Sequence, residues 1–177
     1  MAASGMDEDR FEPFEIGQPT AGDLGWIVQA HGRLYGESMG WGRDFEGIVA
    51  AIVAEFAALD HPRERCWIAR NGNGPVGSVM LTRDHGGPDP EHTARLRVLL
   101  VDPAARGSGL GLELCRRVIE QAREFGDQRI VLTTTERQTG ARRLYQRCGF
   151  ELLGTTGTTP FDTTLRDEEW RLDLGAG

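Results

Sequence analysis

The chain has 177 residues, enough for one domain with a sizeable core and short for two. Its net charge of −7 and pI near 5.1 argue against a nucleic-acid surface, which needs clustered cations, and all 20 basic residues are arginines scattered among acids. It holds no run of about 20 apolar residues and no charged-then-apolar leader, so neither a membrane span nor secretion is indicated and a cytoplasmic location is expected.

Residues 1–10 are polar and read as a disordered lead, with one domain over residues 11–177. Residues 11–16 can form a first strand. Thr20 offers a cap to Asp23, after which Leu24, Ile27, Val28, His31, Leu34 and Tyr35 recur at helical spacing. Beyond the Gly40-Trp41-Gly42 break, Phe45, Ile48, Val49, Ile52, Val53 and Phe56 give a stronger helical stripe that ends near Asp60-His61-Pro62. Two short apolar runs around Cys66-Trp67-Ile68-Ala69 and residues 76–81 flank Asn71-Gly72-Asn73-Gly74 and predict a hairpin.

A polar loop over residues 84–91 leads into a strand ending at Val101. After it, Asp102-Pro103 and a glycine-rich turn open a helix whose apolar face is Leu114, Cys115, Val118, Ile119 and Ala122. Arg129-Ile130-Val131-Leu132-Thr133 reads as the next strand, and residues 138–148 as a helix stopped by Gly149. Residues 151–154 begin another strand, residues 155–166 read as a threonine-rich loop, and Glu169-Trp170-Arg171-Leu172 as the last strand. Cys66, Cys115 and Cys148 are odd in number, lie in apolar contexts and lack metal-ligand spacing, so free thiols and no metal are expected.

The turn after Val101 carries the chemistry. A helix start offers unpaired N–H groups and a partial positive charge, and Gly107, Gly109 and Gly111 leave them open to an anion. A phosphate or pyrophosphate is the natural guest. A P-loop would need a lysine, and the chain has none; a dinucleotide fingerprint needs Gly-x-Gly-x-x-Gly, which Gly107-x-Gly109-x-Gly111 does not match.

What remains, Arg106-x-x-Gly109-x-Gly111, resembles the pyrophosphate turn of the GNAT acyltransferase superfamily. Ala141-x-x-Leu144-Tyr145-x-x-x-Gly149-Phe150 is similar to the second signature of that superfamily. The resemblance implies an α/β (α+β) GNAT fold, a mixed sheet of about seven strands flanked by four helices, with a splay between the fourth and fifth strands. It also narrows. His31-Gly32-Arg33-Leu34-Tyr35, Gly40-Trp41, Phe45-Glu46 and the stretches 63–69 and 95–101 resemble the acetyltransferase half of proteins in which a MarR-type DNA-binding domain precedes a GNAT domain. No DNA-binding half accompanies them here, so no transcriptional role is carried over. Gln138 stands where the family has asparagine, and Thr158-Thr159-Pro160-Phe161 replaces a histidine-containing loop of those relatives.

The resemblance implies an N-acetyltransferase that moves an acetyl group from acetyl-CoA to a primary amine of an amino-acid-like molecule or a protein, as a monomer or a homodimer. Backbone groups of Leu99, Leu100 and Val101 would pair with the pantetheine arm, and N–H groups of Arg106, Gly107, Ser108, Gly109, Leu110 and Gly111 would hold the pyrophosphate. Gln138 would reach the arm, and Tyr145 would protonate the leaving thiolate. The bland counterpart for Tyr145 is core packing beside Leu144. The strand glutamate many relatives use as base is missing, its outward positions being Arg95 and Arg97, and Glu37, His31, His92 and Glu136 are the candidates left. Arg95 and Arg97 share a strand face, where they would favour an acceptor bearing a carboxylate, with Tyr35 and Trp41 as pocket walls. Two alternatives stand beside this: a larger acyl donor, and a degenerate module that binds acyl-CoA without turnover.

Overall fold

The computed structural model describes residues 13–175, so the expectation for residues 1–10 lies outside the described residues. The elements run β1 (Glu15–Gly17), α1 (Asp23–Met39), α2 (Arg43–Leu59), β2 (Arg65–Asn71), β3 (Gly74–Arg83), β4 (Thr93–Val101), a short 3-10 turn (Pro103–Ala105), α3 (Leu110–Glu124), β5 (Arg129–Thr135), α4 (Thr139–Arg147), β6 (Glu151–Thr159) and β7 (Asp162–Asp173). They build one seven-stranded sheet in the order β1-β2-β3-β4-β5-β7-β6, antiparallel except for the parallel pair β4 and β5. This is the mixed, four-helix architecture that the sequence implied.

Period-two alternation in β3 sorts the core onto the two faces of the sheet. Val79 and Leu81 pack with Leu114, Val118 and Ala122 of α3, together with Tyr145 and Trp170, whereas Met80 between them packs with Ile27 of α1 and Val49 and Val53 of α2. Burial of such side chains stabilises by roughly 1.5–3 kcal/mol each, before the cost of ordering the chain. Gly77 makes the β3–α3 contact tight, since a Cβ there would lie 3.1 Å from Leu110 Cδ2 and 3.2 Å from the Leu100 carbonyl. Among the described residues no helix is long and apolar enough to cross a membrane.

Two local readings need correction. Thr20 does not cap α1: Gly22 occupies the N-cap at φ +97°, and the Thr20 hydroxyl donates to the Asp23 carboxylate, which also pairs with Arg70. The threonine-rich segment is not a loop. It is the outer half of a β6–β7 hairpin with Thr159 opposite Asp162, because β-branched residues suit a ladder whose only irregularities are register shifts. This hairpin turns at Pro160-Phe161 and brings that tip back over the sheet.

Candidate active site

β4 and β5 pair only over Thr93, Ala94 and Arg95 against Arg129, Ile130 and Val131. From Leu96 onward the two strands part, and the β5-facing edge of β4 carries no ladder. The cause lies in β4 itself. Val98 sits at φ +46°, in the left-handed region that a β-branched residue rarely enters, and the β3–β4 register slips between Met80↔Arg97 and Ser78↔Leu100. The Ser78 hydroxyl, fully buried, donates to the Val98 carbonyl at 2.8 Å and holds the bulge. Two consecutive residues therefore point to one face: Arg97 reaches Glu55 of α2 and Val98 packs with the α1/α2 cluster, after which Leu99 and Val101 face α3.

The parting leaves a cavity of about 320 Å³ between β4 and β5, walled by α1, α2, α4 and the hairpin tip. Tyr145 lines it from α4, 6% exposed, with its ring 5.8 Å from Phe150. Burial pushes its phenol well above the usual range, so it keeps its proton at neutral pH. Opposite it stands an aromatic wall: Tyr35 stacks on Trp41 at 5.2 Å, and Phe161 from the hairpin tip meets Trp41 at 4.6 Å and Phe45 at 5.1 Å. Gln138 ties this wall to β5. Its Oε1 accepts from the Thr134 hydroxyl (2.9 Å) and the Thr135 N–H (3.0 Å), while its Nε2 donates to the Tyr35 hydroxyl at 3.1 Å.

The glycine-rich turn forms at the far end of the bulged strand. Gly107 and Gly109 stand at φ +85° and +87°, where only glycine is unstrained, and the first bond of the α3 ladder is from the Glu113 N–H to the Gly109 carbonyl. The N–H groups of Gly111 and Leu112 thus precede the ladder, whereas that of Leu110 is taken by the Ser108 hydroxyl at 3.3 Å. Gly111 has a different reason to be glycine than the one the sequence offered. A Cβ there would lie 3.2 Å from Leu144 Cδ2, so its smallness lets α3 start against α4 beside Tyr145. Arg106 lies exposed and reaches back to the Val101 carbonyl (3.3 Å), closing the strand end.

Of the four expected bases only His31 reaches the cavity. His92 pairs with Asp89 (2.9 Å), Glu37 lies 3.9 Å from Arg33, and Glu136 is exposed in the turn after β5. His31 is 3% exposed, and because a carbonyl can only accept, its Nδ1–H must be the donor to Ile27 (2.8 Å), leaving Nε2 with its lone pair. Burial lowers its pKa to about 4, against the Ile27 hydrogen bond that raises it, so it is neutral at pH 7.

Arg95 and Arg97 do share the cavity face, but neither charge is free. Arg95 donates from Nε to Asp84 (2.8 Å) and from a terminal nitrogen to the Thr133 hydroxyl (3.0 Å), with Glu169 at 3.9 Å; Arg97 meets Glu55 at 3.2 Å. The partners come from other elements, which spacing along one strand could not reveal. Sequence reasoning also missed Asp167 on β7. It is the one acid among the described residues lining the cavity, its carboxylate makes no hydrogen bond or ion pair with another described residue, and burial raises its carboxyl above the usual range. Its signal lay beside a segment read as a loop.

A sequence model of the acetyltransferase (GNAT) family matches residues 26–150. The chain is similar to N-acetyltransferase 8F1 of Rattus norvegicus, 34% identical over 60% of this chain and 44% of the relative. It is also similar to the Oryza sativa subsp. japonica protein named as a probable glucosamine 6-phosphate N-acetyltransferase 2, 44% identical over 57% of this chain and 61% of the relative. The chain thus spans about half the length of these curated relatives. Among solved structures, yncA of Salmonella typhimurium, determined with its cofactor acetyl-CoA, superposes with a TM-score of 0.75 at 18% identity, covering 93% of this chain and 95% of its own. A GCN5-related N-acetyltransferase from Kribbella flavida gives 0.72 at 24% identity, covering 91% and 98%. At these identities the structural likeness speaks for the fold.

Proposed function

This chain belongs to the acetyltransferase (GNAT) family, and on that premise we propose that it transfers the acetyl group of acetyl-CoA to a primary amine by direct attack within a ternary complex. The observation that carries the reading is the bulge at Val98, which parts β4 from β5 and opens a cavity lined by Tyr145 and by Leu99, on the strand that runs on into the bare helix start at Gly107 and Gly109. The residues fit the co-substrate. N–H groups at Gly107, Gly109, Gly111 and Leu112 suit a pyrophosphate, and the unladdered edge of Leu99, Leu100 and Val101 suits the amide groups of a pantetheine arm.

The reaction needs an uncharged amine, a place for the oxyanion and a proton for the thiolate. The ammonium loses one proton to a nearby base, Asp167 or, through water, the Nε2 of His31. Its nitrogen then attacks the thioester carbon, the C–S bond breaks, and the second N–H proton leaves. Tyr145 donates to the departing sulfur and is reprotonated from solvent, so one ammonium and one acetyl thioester give an amide, a free thiol and one proton. Holding both reactants between two parted strands supplies orientation, which alone lowers such barriers by several kcal/mol.

Asp167 supports turnover over a module that only binds acyl-CoA, because a half-buried carboxylate facing the acyl end has a use in deprotonation and none in CoA binding. The narrower kinship with the acetyltransferase half of MarR–GNAT fusions is part of the same proposal: three of its motif residues, Tyr35, Trp41 and Phe45, form the aromatic wall. The test is release of CoA thiol from acetyl-CoA as a function of added primary amine. Amine-dependent release supports the enzyme; tight acetyl-CoA binding with no amine-dependent release across a broad panel returns the chain to a binding module.

A further inference from the structure

Resting on that acetyltransferase reading, we infer that the acceptor is a primary monoamine borne on an aromatic group, its ring against Tyr35, Trp41, Phe45 and Phe161 and its ammonium facing Asp167, and that a carboxylate on the acceptor is selected against. The charge balance of the cavity points this way. Its lining holds two cations, Arg95 and Arg97, and one acid, Asp167. Arg95 is countered by Asp84 at 2.8 Å and Arg97 by Glu55 at 3.2 Å, which leaves the Asp167 carboxylate as the unbalanced charge. Its neighbour on the strand, Glu169, adds to the same sign at 3.9 Å from Arg95. A ligand that brings a positive charge completes this arrangement, and one that brings a negative charge must displace an existing pair.

The aromatic wall selects the rest of the molecule. Four rings, from α1, the α1–α2 connection, α2 and the hairpin tip, meet within 4.6–5.2 Å centroid spacings, and three of them, Tyr35, Phe45 and Phe161, are only half-buried where they line the cavity. Such surfaces stack flat aromatic groups and also tolerate a cation over a ring face, but they offer no second carboxylate for a second ammonium. The space, about 320 Å³, is at the small end of ligand pockets, roughly 300–1,000 Å³, and must also take the acetyl thioester, so only a small amine-bearing group fits inside it. The hairpin tip that supplies Phe161 closes the wall against Trp41 and Phe45, which makes it the specificity-setting segment.

The experiment compares three acceptors on the intact protein: 2-phenylethylamine, phenylalanine and spermidine, each by thiol release with saturating acetyl-CoA. The expected result is that phenylethylamine has a kcat/KM at least tenfold above phenylalanine, which differs from it by the carboxylate alone, and above spermidine. Asp167→Asn, nearly isosteric, should raise the KM for phenylethylamine at least tenfold while the KM for acetyl-CoA stays put; Phe161→Leu should raise it less. Preference for phenylalanine or spermidine, absence of turnover with phenylethylamine, or an unchanged amine KM in Asp167→Asn overturns this inference. Calorimetric titration with acetyl-CoA separates the levels. Binding together with turnover of another amine leaves the acetyltransferase standing and removes only the aromatic acceptor, whereas no binding removes both.

Discussion

Tyr145 is held by its ring against Phe150 and the α3 core, while its hydroxyl faces the cavity and makes no hydrogen bond to another described residue. Tyr145→Phe should therefore keep the melting temperature and lower turnover by about tenfold to a thousandfold, the span of a lost general acid; full activity would return the residue to packing alone. His31 gives a pH signature of stability. Its folded pKa, about 4, lies below the ordinary value of 6.5, so it contributes stability above pH 6.5 that is lost as pH falls toward 4. The full loss is roughly 3 kcal/mol, since each tenfold change in proton affinity is worth about 1.4 kcal/mol. Urea midpoints measured from pH 7 to pH 4.5 should fall more steeply for the protein than for His31→Gln, and equal slopes would contradict a buried neutral imidazole. The tyrosine and the glycines were legible in the sequence because motif spacing marks them. Asp167 was not, since its place in the cavity depends on which strand lies opposite and on the absence of a partner among the described residues, neither of which a single sequence records.

At the scale of elements, the bulge in β4 does the positioning. Ser78→Ala removes the hydroxyl that satisfies the Val98 carbonyl and should cost about 1–3 kcal/mol in unfolding free energy, with a larger proportional fall in kcat as the strand loses its kink. A stability loss with kcat untouched would mean the bulge is not needed. The glycine-rich turn needs its glycines for different reasons. Gly109→Ala places a Cβ in open space but at φ +87°, costing roughly 1–2 kcal/mol and weakening acetyl-CoA binding, whereas Gly111→Val collides with Leu144 and should act on kcat through α4 and Tyr145. Calorimetry and steady-state kinetics on the two variants distinguish these effects. Element order was readable from apolar periodicity almost throughout. The exceptions are physical: the slip at Val98 breaks the strict alternation on which strand reading rests, and threonine, suited to ladders and loops alike, hid the hairpin that carries Phe161.

For the whole molecule, the two sheet faces have separate tasks. The α3/α4 face carries the helix start and Tyr145, and the α1/α2 face with the hairpin tip carries the aromatic wall, so on the proposed reading the co-substrate and acceptor would meet where β4 and β5 part. Because the cavity is built by elements already packed in the core, acetyl-CoA binding should stabilise the fold without remodelling it. At a hundredfold excess over Kd the gain is about 2.7 kcal/mol. For a chain of this size the melting temperature should rise by roughly 5–10 °C, readable by calorimetry, and no rise at saturating acetyl-CoA would contradict binding to the folded state.

The most direct measurement is a crystal structure of the protein with acetyl-CoA. The pyrophosphate is expected on the N–H groups of Gly107, Gly109, Gly111 and Leu112, the pantetheine arm along residues 99–101 in the parting of the sheet, and the thioester sulfur within hydrogen-bonding reach of the Tyr145 hydroxyl. An arm that leaves the parting, or a sulfur far from Tyr145 with the acetyl group outside the aromatic cavity, would overturn the assignment of this cleft as the site of acetyl transfer.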